Sequence, residues 1–140
     1  MSYLSWFNKH AKKHKKLVEK LKSLGSEEII EYFDYENISK KEPWFCPLFL
    51  KGKRCHDIES LNCYLCACPN FRFCDDGFGM KGSKILKSYC KINSKNGKIF
   101  ESGDQVHQDC SSCLVPHRVE FIKKVFKRDW KEIMRDCNES

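Results

Sequence analysis

The chain has 140 residues, ten cysteines and a formal net charge of +7. This length favours one domain with extensions, since domains run from about 50 to 250 residues. No run of residues approaches the length of a membrane span. Residues 1–22 carry isolated apolar side chains among seven lysines, whereas a secretory signal needs an apolar run. We therefore expect a soluble, cytoplasmic protein with reduced thiols; the alternative is a secreted protein with disulfides.

The positive charge is a weak argument for nucleic-acid binding once metal is considered. If eight cysteines ionise to bind two divalent ions, the net charge falls to about +3, since a coordinating thiol is deprotonated. The excess of lysine and arginine over acidic residues would then largely offset the negative charge of the thiolate ligands.

The first predicted element is an amphipathic helix over residues 4–24, because its apolar positions recur at steps of three and four. Ser2 or Ser5 is predicted to cap its start, and Gly25 to end it in a left-handed conformation. Its other face is rich in lysine, which is typical of a solvated face and also allows attraction to nucleic acid or an acidic protein. His10 and His14 lie one helical turn apart but lack neighbouring cysteine or carboxylate ligands, which disfavours a shared ion.

Ser26 is predicted to cap a short second helix over residues 27–33, and the chain then reads as a loop. Pro43 and Pro47 give the first thiol, Cys46, an extended setting. Aromatic residues recur beside the thiols and are expected to form a small dry shell around the metal. These aromatic residues are Phe45, Phe49, Tyr64, Phe71 and Phe73.

The later part of the chain shows a hairpin signal and a helix signal. Asn96-Gly97, between residues 90–92 and 98–100, is the strongest short-range hairpin pattern. Pro116 suits the first turn of a long final helix that runs to about residue 134, and this helix is expected to pack on the first helix or on the cysteine-rich region. Cys137, beyond it, is predicted to be a free thiol without a role.

The predicted fold class is a small metal-stapled α+β structure. Irregular cysteine-rich loops with one short β-hairpin would be flanked by an N-terminal and a C-terminal amphipathic helix. The predicted segments are a basic helical extension at residues 1–40, a cysteine-rich metal-binding domain at residues 41–117 and a C-terminal helix packed on it at residues 118–140.

Nine of the ten cysteines lie between residues 46 and 113. A region this short has a marginal hydrophobic core and needs a metal or disulfides to hold it. A Cys-x-x-Cys turn, as between Cys63 and Cys66, brings two sulfurs to one ion, and thiolates suit zinc or iron-sulfur clusters. The predicted metal ligands are Cys46, Cys55, His56, Cys63, Cys66, Cys68, Cys74, Cys110, Cys113 and His117.

Eight thiols divide into two sites of four, which suits two zinc ions or two [4Fe-4S] clusters, because each takes four protein ligands. Cys66 and Cys68 are too close in sequence to join Cys63 easily on one zinc, so Cys68 is expected to serve the other site. Each predicted histidine would replace a thiolate or orient one. Cys90 is treated as the spare thiol. Nearby histidines favour zinc, whereas the Cys-Pro pair at residues 68–69 is also found in ferredoxin motifs.

Three stretches carry a family resemblance. They are Cys55-His56, Leu61-Asn62-Cys63-Tyr64-Leu65-Cys66-Ala67-Cys68-Pro69 and Asp109-Cys110-Ser111-Ser112-Cys113-Leu114-Val115-Pro116-His117. Together they resemble the small cysteine-rich, zinc-finger-like domain family of archaea and bacteria, which is sometimes joined to or found beside cobalamin-synthesis enzymes. That family is regarded as metal-binding without an established activity, so the resemblance implies a metal site at the ten residues above and little about purpose. This chain departs from it in a longer segment between Cys74 and Cys110, which contains Cys90.

Three functions are weighed, and no catalytic residue is predicted. The first is a non-catalytic metal-binding module, with zinc holding the fold and the helices docking to an unknown protein or another partner. The second is an iron-sulfur protein with a redox or cluster-dependent enzymatic role. The third is a zinc module that binds nucleic acid through the basic first helix. A dithiol oxidoreductase at Cys110 and Cys113 is disfavoured, since the strand-to-helix context is lacking.

Overall fold

The computed structural model describes residues 2–56, 58, 60–110 and 113–139. Five α-helices lie in this part of the chain, together with 3₁₀ turns at Phe49–Lys51 and Val115–His117. The helices are α1 (Tyr3–Lys20), α2 (Ser26–Tyr32), α3 (Tyr35–Lys41), α4 (Val119–Val125) and α5 (Trp130–Ile133). Within the described ranges, none of these helices has both the length and the apolar character needed to cross a membrane.

In the part of the chain that the structure describes, six short strands form two sheets. They are β1 (Phe71–Phe73), β2 (Met80–Lys81), β3 (Lys84–Leu86), β4 (Ser88–Cys90), β5 (Lys98–Ser102) and β6 (Gln105–Asp109). Strands β1 and β4 pair antiparallel. The other sheet has the order β2-β3-β6-β5, in which β3 and β6 run parallel. The structure is thus a small α+β fold with helices, irregular loops and a hairpin, as predicted; that metal holds it together stays a prediction.

Helix α1 begins as predicted but ends differently. The Ser2 side chain accepts a hydrogen bond from the Ser5 backbone N–H at 3.1 Å, and so caps the helix. Gly25 does not take the predicted left-handed conformation; its φ of −75° and ψ of 168° are extended. Gly25, rather than Ser26, is the cap residue of α2, and its N–H donates to the Glu28 carboxylate at 3.4 Å. Helix α1 instead ends at Leu21, whose N–H donates to the Val18 carbonyl at 3.0 Å.

Helix α3 lies in a segment that was predicted to be a loop. Of its seven residues only Ile38 is buried among the core side chains. A single inward residue gives no repeat, so hydrophobic periodicity could not reveal this helix.

The predicted hairpin at Asn96-Gly97 is wrong. Gly97 closes a turn by donating its N–H to the Ser94 carbonyl at 3.1 Å, but the flanking segments do not pair with each other. Cys90 pairs with Phe71 across β4 and β1, and β5 pairs with β6. The hairpin loop is instead at Gly103, whose φ of +59° is readily adopted by glycine.

The predicted single C-terminal helix is broken. A 3₁₀ turn precedes α4, and Phe126 leaves the helical region with a φ of −54° and a ψ of 128°. The break frees the Lys127 carbonyl, which accepts a hydrogen bond from the Tyr64 hydroxyl at 2.6 Å. Asp129 then caps α5 by accepting from the Lys131 N–H at 3.1 Å. The interruption therefore gives the buried Tyr64 hydroxyl a hydrogen-bond acceptor, which a continuous helix would not leave free.

The core joins both ends of the chain to the cysteine-rich middle. The Phe7 ring of α1 lies 5.0 Å from the Trp130 ring of α5, measured between centroids. The Trp130 indole N–H donates to the Leu65 carbonyl at 2.6 Å, and Trp130 is 1% exposed. The C-terminal region thus contacts both the first helix and the cysteine-rich segment.

Candidate metal centre

All ten cysteines are free thiols. The structure places eight of them in two groups on either side of the turn at Ala67. The first group consists of Cys46, Cys55, Cys63 and Cys66, and the second of Cys68, Cys90, Cys110 and Cys113. The remaining two, Cys74 and Cys137, are buried.

Cys55 lies between two imidazole rings. Its Sγ is 3.2 Å from Nδ1 of His56 and 3.9 Å from Nε2 of His117. The ligand atoms of these three residues all lie within 4.8 Å of one another. The two ring centroids are 4.3 Å apart, so both histidines face the same small volume around one sulfur.

Each imidazole uses its other nitrogen to donate a hydrogen bond. His56 Nε2 donates to the Cys110 carbonyl at 3.2 Å, and His117 Nδ1 donates to the Asn62 carbonyl at 3.0 Å. A histidine that binds metal commonly donates its second N–H to a carbonyl in this way, which fixes its tautomer. Both lone pairs are then directed toward Cys55. Burial lowers the pKa of His117, opposed by the hydrogen bond to Asn62, and the nearby His56 lowers it further.

These distances fit a zinc ion. In a tetrahedral site, with zinc about 2.3 Å from sulfur and about 2.0 Å from nitrogen, the sulfur and nitrogen are about 3.5 Å apart. The two observed separations, 3.2 and 3.9 Å, lie on either side of that value. A thiolate and two neutral imidazoles are donors that zinc prefers.

The other thiols of the first group surround Cys55. Burial raises the pKa of the Cys55 thiol to about 11, and the charges of Cys63 and Cys46 raise it further. The contact with the Cys63 side chain raises the pKa of Cys66, as do burial and the charges of Cys63, Cys55 and Cys46. Cys66 has a φ of 51° and donates its S–H to the Cys63 carbonyl at 3.0 Å. Ionised sulfurs here repel one another, and a divalent cation would remove that repulsion.

Asn62 is a positioning residue that the sequence analysis missed. Its side-chain amide donates to the Ile30 carbonyl and to the Asp34 carboxylate, each at 2.7 Å. Its side-chain oxygen accepts from the Tyr64 N–H at 2.8 Å, while its backbone carbonyl holds His117. Asn62 thus ties α2 to the Cys63 turn and to one imidazole. Its sequence signal is an asparagine directly before the Cys-x-x-Cys turn, where the side chain can bond the backbone two residues on.

Helix α3 positions the Cys55-His56 pair through Arg54. The Arg54 guanidinium pairs with Glu36 at 2.6 Å and lies 4.7 Å from the centre of the Tyr35 ring. It also donates to the Ile58 carbonyl at 2.8 Å, on the far side of the pair. The helix that sequence periodicity missed is therefore what anchors this loop.

The structure does not bring Cys74 to either group. Its backbone N–H donates to the Lys87 carbonyl at 3.0 Å, and among the described residues it lines neither cavity that holds other thiols. Cys74 therefore lies outside both groups, and its role as a ligand stays a prediction. The other nine predicted ligands lie in, or directly beside, the two groups.

A larger cavity of about 650 Å³ lies beside both groups. Its wall includes Cys66 of the first group and Cys68 of the second, with the rings of Trp6, Phe7 and Phe71 opposite. Of the predicted aromatic shell, Phe45, Tyr64 and Phe73 are at most 3% exposed. The thiols therefore lie in largely apolar surroundings.

His10 and His14 belong to the core instead of a thiol group. Burial lowers the pKa of His10 to about 3, with further lowering by His14 and Lys13. Burial lowers the pKa of His14 to about 4, although its Nε2–H donates to the Tyr64 carbonyl at 2.9 Å. Both rings are therefore neutral near neutral pH, and each has one nitrogen without a hydrogen-bond partner within the described residues.

Comparison with protein-family models, with curated proteins and with solved structures finds no match for this chain. The family resemblance noted in the sequence stays a prediction.

Proposed function

We propose that this protein is a non-catalytic metal-binding module in which zinc holds the cysteine-rich middle and the surrounding helices dock to a partner. The observation that carries the proposal is the convergence of Cys55, His56 and His117, whose ligand atoms lie within 4.8 Å of one another. Three donors need one more to complete a tetrahedral site. The thiols of Cys46, Cys63 and Cys66 are the neighbouring candidates for that position.

A structural role is supported by the surplus of protein donors. A catalytic zinc keeps one position open for water or substrate, whereas a structural zinc is closed by four protein ligands. Cys55, the three other thiols of the first group and the two imidazoles together offer six donors, more than one ion needs. Surplus donors would occupy an open position, so the set favours a closed site.

The deciding experiment is metal analysis with an absorption spectrum on protein purified anaerobically without added metal. Zinc without visible absorption is expected. Cys55→Ala is expected to lose one zinc per chain, and little packing is removed because Cys55 is exposed. Cys74→Ala, at a thiol outside both groups, is the matched control and should keep its zinc. A metal-free wild type, or full zinc in Cys55→Ala, would overturn the proposal; iron with acid-labile sulfide would support the iron-sulfur alternative.

Nucleic-acid binding is the second candidate, because α1 presents an exposed basic face. Its exposed lysines include Lys9, Lys12 and Lys15. Beside them, Lys16 lies 5.4 Å from the ring of Trp44, which is 41% exposed. Lysines attract phosphates and an exposed indole can stack on a base. Fluorescence anisotropy with single-stranded RNA should then show affinity that falls steeply with salt, and no binding at low salt would exclude this function.

A further inference from the structure

The second thiol group surrounds a small cavity of about 30 Å³. The wall of this cavity includes Cys68, Cys90, Cys110 and Cys113. By this measure about 10 to 15 Å³ is enough to hold one water molecule, so the cavity has room for a single ion. The four cysteines come from three separate parts of the chain.

Backbone hydrogen bonds bring Cys68 and Cys90 together. The Phe71 N–H donates to the Cys68 carbonyl at 2.9 Å, which forms the turn that leads into β1. In the sheet, Phe71 pairs directly with Cys90 of β4. The Lys91 N–H then donates to the Asn70 carbonyl at 2.8 Å. Cys90 is therefore held against the turn that begins at Cys68.

Strand β6 positions the other two thiols, Cys110 and Cys113, at this cavity. Cys110 follows directly after β6, and the Cys113 N–H donates to the Cys110 carbonyl at 3.0 Å. Strand β6 is tied to β4 because the Gln108 N–H donates to the Ser88 hydroxyl oxygen at 2.8 Å. The Cys-x-x-Cys turn thus arrives at the same cavity as Cys90.

The four sulfurs are spread more widely than the ligand atoms at Cys55. Within the described residues, Cys55, His56 and His117 form the group whose ligand atoms all lie within 4.8 Å of one another. A zinc ion in the small cavity would therefore draw the four sulfurs inward.

We propose that Cys68, Cys90, Cys110 and Cys113 bind a second zinc ion as four thiolate ligands, with Cys90 and not Cys74 as the fourth. This inference rests on the proposed metal-binding function and adds the composition of a separate site. It reverses the sequence prediction at two positions, since Cys90 was the spare thiol and Cys74 a ligand. A zinc ion here would fasten the β1–β4 sheet to the end of β6.

Other cysteines fit this site less well. Cys74 does not line the small cavity. Cys137 lines only the larger one, and its S–H is directed to the Cys68 carbonyl at 3.5 Å and to the Met134 sulfur at 3.9 Å. Four thiolates from the cavity wall already complete the tetrahedral set that a structural zinc takes.

The test is zinc stoichiometry in the wild type, Cys90→Ala and Cys74→Ala, with zinc as the only added metal. We expect about two zinc ions per chain in the wild type and in Cys74→Ala, and about one in Cys90→Ala. Two ions in Cys90→Ala, or one in Cys74→Ala, would overturn the proposal. A wild type with one zinc that Cys55→Ala loses and Cys90→Ala keeps would overturn the second site alone, whereas a metal-free wild type would overturn both proposals.

A measurement on the wild type covers the case in which Cys90→Ala fails to fold. Zinc is withdrawn in steps with a chelator while the thiols are alkylated and mapped by mass spectrometry. Cys90 is expected to lose protection together with Cys68, Cys110 and Cys113, separately from the group around Cys55. Alkylation of Cys90 while both ions remain bound, or loss of protection at Cys74 together with Cys110, would contradict the assignment.

Discussion

The Nε2 atom of His117 lies 3.9 Å from the Sγ atom of Cys55, although 62 positions separate the two residues in the cysteine-rich segment. The contact closes that segment on itself. Only the tautomer of His117 with its proton on Nδ1 leaves a lone pair toward Cys55, and the Asn62 carbonyl selects this tautomer. The contact therefore depends on a residue that is not a ligand.

His117→Ala should weaken zinc binding by more than about 100-fold, since loss of an outer hydrogen-bond partner alone costs about 10-fold to 100-fold. Competition with a chromophoric chelator measures the affinity. His107→Ala is the control, because His107 contacts the Tyr3 hydroxyl at 2.6 Å and lies outside the three-residue group. Equal zinc affinity in the two variants would show that His117 is not a ligand.

Asn62→Ala should lower the free energy of unfolding of the zinc-loaded protein by about 1 to 3 kcal/mol, the usual cost of one buried polar group left unpaired. That group is the Tyr64 N–H, whereas the Ile30 carbonyl keeps the Phe33 N–H as a donor at 3.1 Å. Urea denaturation gives the value. Asn37→Ala removes one exposed hydrogen bond, to the Glu31 carbonyl, and should cost less than about 1 kcal/mol. Similar losses in the two variants would remove Asn62 from its positioning role.

Stability should fall as the pH drops below about 6.5, because His10 and His14 are buried in the neutral form. Their folded pKa values of about 3 and about 4 lie below the unfolded value, so below that value the unfolded chain binds protons that the folded chain does not. The contribution is fully present above the unfolded pKa and is lost as the pH falls toward the folded values. Each histidine should cost about 2 kcal/mol between about pH 7 and about pH 5.

The pH prediction is checked by comparing the wild type with His14→Leu at both pH values. Loss of zinc in acid affects the two proteins equally, so the difference between their pH dependences isolates the histidine. His14→Leu should lose less stability on acidification, by about 2 kcal/mol. Parallel pH profiles would mean that His14 is protonated in the folded protein.

Tyr64→Phe should lower the free energy of unfolding by about 1 kcal/mol, which is the usual net contribution of a hydrogen bond. The variant keeps the buried ring and loses the bond to the Lys127 carbonyl, where the C-terminal helix is interrupted. Tyr89→Phe, whose hydroxyl reaches Glu139 at 3.5 Å on the surface, is the control and should change little. No difference between these variants would show that the hydroxyl does not stabilise the break between α4 and α5.

The sequence by itself determined the features that depend on near neighbours. The apolar spacing and Ser2 established α1, because a helix face and a cap are set within a few residues. The tight spacing of Cys66 and Cys68 predicted that they serve different groups, and the structure separates them. The density of cysteine and histidine predicted metal chemistry before any contact was known.

The tertiary structure alone decided which distant residues meet. Cys90 could not be assigned from spacing. The β1–β4 pairing brings it to Cys68, and the hydrogen bond from Gln108 to Ser88 ties its strand to the one before Cys110; neither contact leaves a local pattern. For the same reason, the hairpin is not at Asn96-Gly97 but at Gly103, where β5 pairs with β6. Loops carry no hydrophobic period. The positions of Asn62, of the Cys55 loop and of the break at Phe126 therefore depend on hydrogen bonds that only the folded chain can form.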